Sequence, residues 1–314
     1  MMNLIGLKDL SSHQMIALLD ASERYLNEEG RVITPPEDAQ LLSGRTFALL
    51  FLEPSTRTRA SFDLAIQRLG GRSVTVNGEG SSVVKGESAA DTCQTLAAMG
   101  VDGLVVRHHD RHLPQVLSER VRIPVINAGN GSGEHPTQGL LDALTLRRHF
   151  KTGQQLGGLK IAIIGDIVHS RVARSDAHIF SELGAEVMIA GPKMLLPTDE
   201  QLVGWPVRVS TSLKEALRWA DAVVVLRVQQ ERLRSSVVDP HRYALDWGID
   251  PTVVEQYMSP STVILHPGPV IRGVELADPV IESPQSLIWQ QVTYGVAVRQ
   301  AVIAAYFGKQ AQYA

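Results

Sequence analysis

The sequence predicts an α/β protein of two doubly wound domains, each a mainly parallel sheet flanked by helices, with an active site in the cleft between them. Three observations carry that prediction. Short, near-continuous apolar runs alternate with segments whose apolar residues recur at helical spacing, and strands apolar on both faces belong to parallel sheets covered on both sides. The alternation is interrupted once, by the polar, glycine-containing stretch KTGQQLGGL at 151–159, and then restarts. The chain has 314 residues, long enough for two domains of ordinary size.

The elements follow in order. MMNLIGLKDLSSHQMIALL reads as an amphipathic helix. TFALLFL (46–52) is the first strand, and RASFDLAIQRL (59–69) has helical spacing, so Pro54 to Thr58 form the turn and the helix's first turn. RSVTVN (72–77), GLVVRH (103–108) and PVINA (124–128) are further strands, separated by helical stretches such as SAADTCQTLAAMG (88–100). A long helix from Pro136 to Phe150 leads to the connection. Beyond it, KIAIIGD (160–166), EVMIAGP (186–192), VRVST (207–211), AVVVLRV (222–228) and TVILHPG (262–268) form the second sheet. The last helix, roughly 284–307, follows the final strand. The predicted domains are residues 1–148 and 149–286, with the C-terminal helix, 287–314, packing back on the first.

Composition narrows the function classes. The net charge of −3 gives no general attraction to nucleic acid or an anionic membrane, so any anion site must come from local clustering of Arg and Lys. The one cysteine, Cys93, excludes an internal disulfide and a cysteine-rich zinc site, which suits a reducing compartment. The N-terminus lacks a basic segment followed by an unbroken apolar one, and no apolar run approaches the ~20 residues of a membrane span. The expected address is the cytoplasm.

Ligands of such sheets bind at the carboxyl ends of strands. After the first strand, FLEPSTRTRASFD places Arg57 and Arg59 at the positive end of a helix, which disfavours cations by a few tenths to about one kcal/mol. A dianion among Ser55, Thr56, Arg57 and Thr58 removes the conflict, because hydroxyls, a guanidinium and free N–H groups together fit a phosphate. The bland reading is that Ser55 caps the helix and the arginines pair with surface carboxylates. That reading suits Arg59 better than Arg57. Arg107 ends another strand. His135 precedes a helix that begins at Pro136, where a neutral imidazole can donate to a carbonyl oxygen, and Gln138 in the first turn can contact an amide. His108, His109, Asp110 and His112 suggest a metal cluster, but solvated polar residues at a helix start are the better reading.

STRTR (55–59), HPTQ (135–138) and the spacing between them resemble the carbamoyltransferase family. GDIVHSRVARS (165–175), LRVQQER (226–232) and HPGPVIRGVEL (266–276) extend the resemblance over nearly the whole chain, and resemble the members that use aspartate as acceptor. The resemblance implies carbamoyl transfer from carbamoyl phosphate to L-aspartate, in pyrimidine biosynthesis, with no metal or organic cofactor. It implies phosphate contacts from Ser55, Thr56, Arg57 and Thr58. The carbonyl oxygen would be held by Thr58, Arg107 and His135, and the carbamoyl NH₂ by Gln138 and the backbone at Pro267 and Gly268. Gly268–Pro269 would be cis. Arg171, Arg227 and Gln229 would bind the two acceptor carboxylates, a task suited to bidentate guanidinium groups. Arg171 could instead pair with Asp166 or Asp176. NGEGSSVVKGES (77–88) matches a loop that reaches into a neighbour's site, so a homotrimer is implied, with Ser81 and Lys85 supplied by the adjacent subunit and Lys85 also touching aspartate. Relatives assemble with a regulatory or a dihydroorotase-like chain.

Three other readings compete. An ornithine-specific member would carry an HCLP-like motif, where this chain has HPGP. A nucleotide-binding domain opening at IAIIGDIVHSRVARS would need G-x-G-x-x-G after the strand, which is missing. A non-catalytic scaffold would not require phosphate, carbonyl and acceptor residues together.

Overall fold

The computed structural model describes residues 3–77, 88–228 and 239–308. The chain divides into two compact units, Met1–Leu144 with Val292–Ala314, and Thr145–Gln291. Each contains a sheet whose strand pairings are all parallel.

The first unit opens with α1 (Ser12–Glu23), held by a reciprocal capping box between Ser11 and Gln14. Then come β1 (Thr46–Phe51), α2 (Thr56–Arg68), β2 (Arg72–Asn77), α3 (Ala89–Ala98), β3 (Gly103–His108), α4 (Leu113–Arg120), β4 (Val125–Asn130) and α5 (Pro136–Phe150). Strand order is β2-β1-β3-β4. One face of β1 sends Ala48 and Leu50 into a core with Cys93, Leu96, Leu104 and Leu117. On the other face Phe47 meets Phe307 of the C-terminal helix edge to face, ring centroids 4.7 Å apart. That contact needs Gly103, since a Cβ there would stand 2.3 Å from the Phe307 ring. With both faces covered, β1 reads as an unbroken apolar run. Only β2, at the sheet edge, is largely exposed along its length. Burial pushes the Cys93 thiol up to about 12, which makes it an inert core residue.

The second unit contains β5 (Lys160–Ile164), α6 (Arg171–Glu182), β6 (Glu186–Ala190), β7 (Val207–Ser210), α7 (Leu213–Trp219), β8 (Ala222–Val225), α8 (Pro240–Trp247), α9 (Pro251–Tyr257), β9 (Val263–Leu265) and α10 (Asp278–Ile281); α11 (Ile288–Phe307) then returns the chain to the first unit. Strand order is β7-β6-β5-β8-β9. Ala162, Ile164, Met188, Val223, Val225 and Ile264 pack with Leu217, Trp247 and Ile281. No helix among the described residues is long and apolar enough to cross a membrane.

Both sheets have a point where the chain stops adding strands on one side and crosses to the other. In the first it lies between β1 and β3, and in the second between β5 and β8. A crevice forms at the carboxyl ends of such strand pairs.

Candidate active site

In the first unit the loop after β1 runs directly into α2. Ser55 occupies the cap position with extended backbone, yet its side chain makes no capping hydrogen bond. The Ser55 hydroxyl is therefore not used as a cap and stands at the start of α2, where the sequence predicts an anion site. Arg57 is exposed in that turn, while Thr58 is buried. Among the described residues Arg59 finds an amide where a carboxylate was expected: its Nη1 donates to the Asn77 side chain at 3.0 Å. The end of β2 lies within its reach, which the sequence could not indicate.

The ends of β3 and β4 supply the neighbouring groups. His135, 4% exposed, brings its Nε2 to 3.4 Å from Thr58 Oγ1. Arg107, one residue from the end of β3, donates from Nη1 to the carbonyl of Ala128 at 3.2 Å and sets its Nε 3.7 Å from Glu53. Gln138 lies within the first turn of α5 and donates from Nε2 to both carboxylate oxygens of Asp142, each at 3.1 Å. The structure thus brings His135 to Thr58, ties Arg107 through Glu53 to the loop after β1, and sets Gln138 in the first turn of the helix that follows β4.

The segment carrying His135 is built by two buried asparagines. Asn127 Nδ2 donates to the carbonyl of Ile5 at 2.8 Å and to Asn130 Oδ1 at 3.1 Å, and its Oδ1 accepts from Gly129 N–H at 2.8 Å. Asn130 Oδ1 accepts from Glu134 N–H at 2.7 Å, and its Nδ2 donates to the Arg111 carbonyl. Gly131 sits at φ +52, with the His109 carbonyl oxygen 1.9 Å from where a Cβ would be, so only glycine fits that turn. His108 Nδ1 accepts from Asp110 N–H at 3.0 Å, and burial followed by the His109 charge holds its pKa down. Among the described residues no group of His, Cys, Asp and Glu has the arrangement of a metal site.

In the second unit, Arg171 is the first residue of α6, behind a cap in which Ser170 accepts from Ala173 N–H, and Arg227 follows β8. Both lie at the β5/β8 switch point. Asp166, offered by the sequence as a partner for Arg171, lies 2.8 Å from His169 Nδ1. At the end of β9 the HPGP turn has a cis bond between Gly268 and Pro269. Here His266 Nδ1 accepts from Gly268 N–H at 2.8 Å, which puts the ring proton on Nε2, 3.3 Å from buried Glu275. Glu275 also accepts from Ile271 N–H at 2.7 Å, so one imidazole and one carboxylate shape the turn that contains Pro267 and Gly268, both half-buried. Gln229, Ser81 and Lys85 lie outside the described residues.

Sequence reasoning passed over Glu53, Asn127, Asn130, Asp142, His266 and Glu275. Two of them left a usable signal. Glu53 stands beside the predicted anion site, where a carboxylate needs a cation of its own, and Asp142 follows Gln138 at the i,i+4 spacing of helix neighbours.

Residues 2–148 match the family model for the aspartate/ornithine carbamoyltransferase carbamoyl-P binding domain, and residues 157–306 that for its Asp/Orn binding domain. The chain belongs to the aspartate/ornithine carbamoyltransferase family. Among curated relatives, the carbamoyltransferase of Carboxydothermus hydrogenoformans named aspartate carbamoyltransferase catalytic subunit is 44% identical over 96% of this chain and 94% of its own. Among solved structures, ornithine carbamoyltransferase from Pyrococcus furiosus superposes with a TM-score of 0.86 at 26% identity, covering 98% of this chain and 97% of that one. Aspartate transcarbamoylase from Trypanosoma cruzi, solved with aspartate and phosphate, has a TM-score of 0.83 at 29% identity, covering 98% and 95%. In this carbamoyltransferase, the matched domains are the parts of the chain that carry the two switch points.

Proposed function

We propose that this carbamoyltransferase moves the carbamoyl group of carbamoyl phosphate to the amine of L-aspartate, giving N-carbamoyl-L-aspartate and phosphate, the committing reaction of pyrimidine synthesis in the cytoplasm. The observation that carries the reading is the approach of His135 to Thr58, 3.4 Å, beside a helix start whose Ser55 hydroxyl makes no capping bond. An anion cradle and a carbonyl-oxygen donor share one residue, which is the geometry needed to hold an acyl phosphate by both ends.

Ser55, Thr56, Arg57 and Thr58 bind the phosphate. Thr58, Arg107 and His135 face the carbonyl oxygen, where negative charge builds as the amine attacks the carbonyl carbon. Gln138 and the backbone of Pro267 and Gly268 receive the carbamoyl NH₂. Arg171, Arg227 and Gln229 take the acceptor's carboxylates. The C–O bond to phosphate then breaks, and the departing phosphate takes the amine proton, so no side-chain base is required. Residues 1–148 form the carbamoyl phosphate domain and 149–286 the aspartate domain.

The aspartate assignment rests on the 44% identical relative and on HPGP at 266–269, against a similar fold in an ornithine enzyme at 26% identity. A product assay with carbamoyl phosphate and either amine decides it. Carbamoyl-aspartate as the product supports the reading; citrulline, or no carbamoylation of either amine, overturns it.

The working form is a homotrimer in which Ser81 and Lys85 enter the neighbouring subunit's site, open to a further regulatory or dihydroorotase-like chain. Inactive Arg57→Ala and Lys85→Ala proteins, dissociated, mixed and reassembled, are then expected to regain activity, because each hybrid trimer contains one site with both residues intact. Hybrids as inactive as their parents would refute sharing.

A further inference from the structure

Gln138 has a neighbour that settles which way its amide points. Its Nε2 lies 3.1 Å from both oxygens of Asp142, one helical turn further along α5. A carboxylate only accepts, so Gln138 must turn its NH₂ toward Asp142, and its carbonyl oxygen is left for other contacts. The reversed amide would set oxygen against two oxygens.

Asp142 is fully buried, and a buried carboxylate is stable only with a compensating charge. A cation that acts on it electrostatically is Arg299 of α11, itself 3% exposed. Burial pulls the guanidinium down to about 9, still charged at neutral pH. Its Nη1 donates to the Gly295 carbonyl at 2.9 Å and its plane lies 5.1 Å over the Phe62 ring of α2. Gly295 makes room for it, since a Cβ there would stand 2.6 Å from Nη1. All of these residues belong to the first unit.

We infer that Asp142, backed by Arg299, is a positioning residue that orients the Gln138 amide to present its carbonyl oxygen, so that the site selects an acyl phosphate carrying an N–H donor. The inference rests on the proposed binding of carbamoyl phosphate at this site. It assigns discrimination against acyl phosphates lacking the NH₂ group to a buried pair that touches no substrate.

Acetyl phosphate tests this, because it replaces NH₂ by CH₃ with little change of shape. Dissociation constants are measured for carbamoyl phosphate, acetyl phosphate and inorganic phosphate on the wild type, on Gln138→Leu, on Asp142→Leu/Arg299→Met, and on all three substitutions together. The double variant exchanges a buried ion pair for apolar groups, a replacement that cores often tolerate. It is expected to weaken carbamoyl phosphate by about 10- to 100-fold, the worth of one or two hydrogen bonds to a polar ligand group, while acetyl phosphate and phosphate bind as before. Added to Gln138→Leu it should cost nothing more, since Asp142 acts through Gln138. If the double variant does not fold, Asp142→Asn, which keeps the shape but no longer dictates the amide's direction, is judged by the same three ligands. Equal weakening of all three, or unchanged preference for carbamoyl phosphate, overturns the inference. A wild type that does not prefer carbamoyl over acetyl phosphate instead overturns the proposed substrate.

Discussion

Arg57→Ala is expected to lower kcat by roughly 10²–10³-fold, the usual loss when one preorganised contact to transition-state charge is removed. The fold should survive. The buried face of α2 is Thr58, Ser61, Phe62, Ala65 and Ile66, and Arg57 is exposed. A cation in the first turn opposes the helix dipole, so its removal should leave the melting temperature unchanged or slightly higher. That combination separates a functional arginine from a structural one. Turnover within a few-fold of wild type at saturating substrates would return Arg57 to the role of a surface charge.

Arg227→Ala should act on the other substrate. The residue follows β8 at the second unit's switch point and is half-buried, so its charge is poorly screened by water. A charge-assisted bond to a carboxylate is worth about 1.5–3 kcal/mol, or about 10- to 100-fold in the KM for aspartate. The KM for carbamoyl phosphate should move by no more than about twofold, since in the proposed site its contacts come from the first unit and the HPGP turn. Steady-state kinetics with each substrate varied in turn reads the split. Equal increases in both constants would mean that Arg227 shapes the site as a whole.

These expectations draw on different depths of information. That Arg57 stands just beyond one strand and Arg107 near the end of another could be read from apolar runs, because β1 and β3 are buried along most of their length and tolerate few polar residues before their ends. The runs overestimate length where a partner is short. AVVVLRV suggests a strand to Val228, but β8 stops at Val225 beside a β9 of three residues. Arg59 shows a similar limit, since its bond to Asn77 depends on where β2 ends relative to α2.

By itself the sequence determined which residues stand after strands and at helix starts. Helical and strand periods, proline at the start of α5 and the STRTR and HPTQ motifs are local properties, encoded within a few positions. Strand order belongs to the tertiary structure, since apolar runs do not say that β3 joins β1 on the side away from β2, which turns the ends of β1 and β3 into one crevice. So do the buried pairs. Glu53 with Arg107, partly buried, and His266 with Glu275, fully buried, join groups that burial would penalise singly, and Arg299 sets a charge that acts on Asp142. Asp142 and Arg299 lie on different helices far apart in sequence, and the packing of α11 within the first unit brings their charges within electrostatic reach.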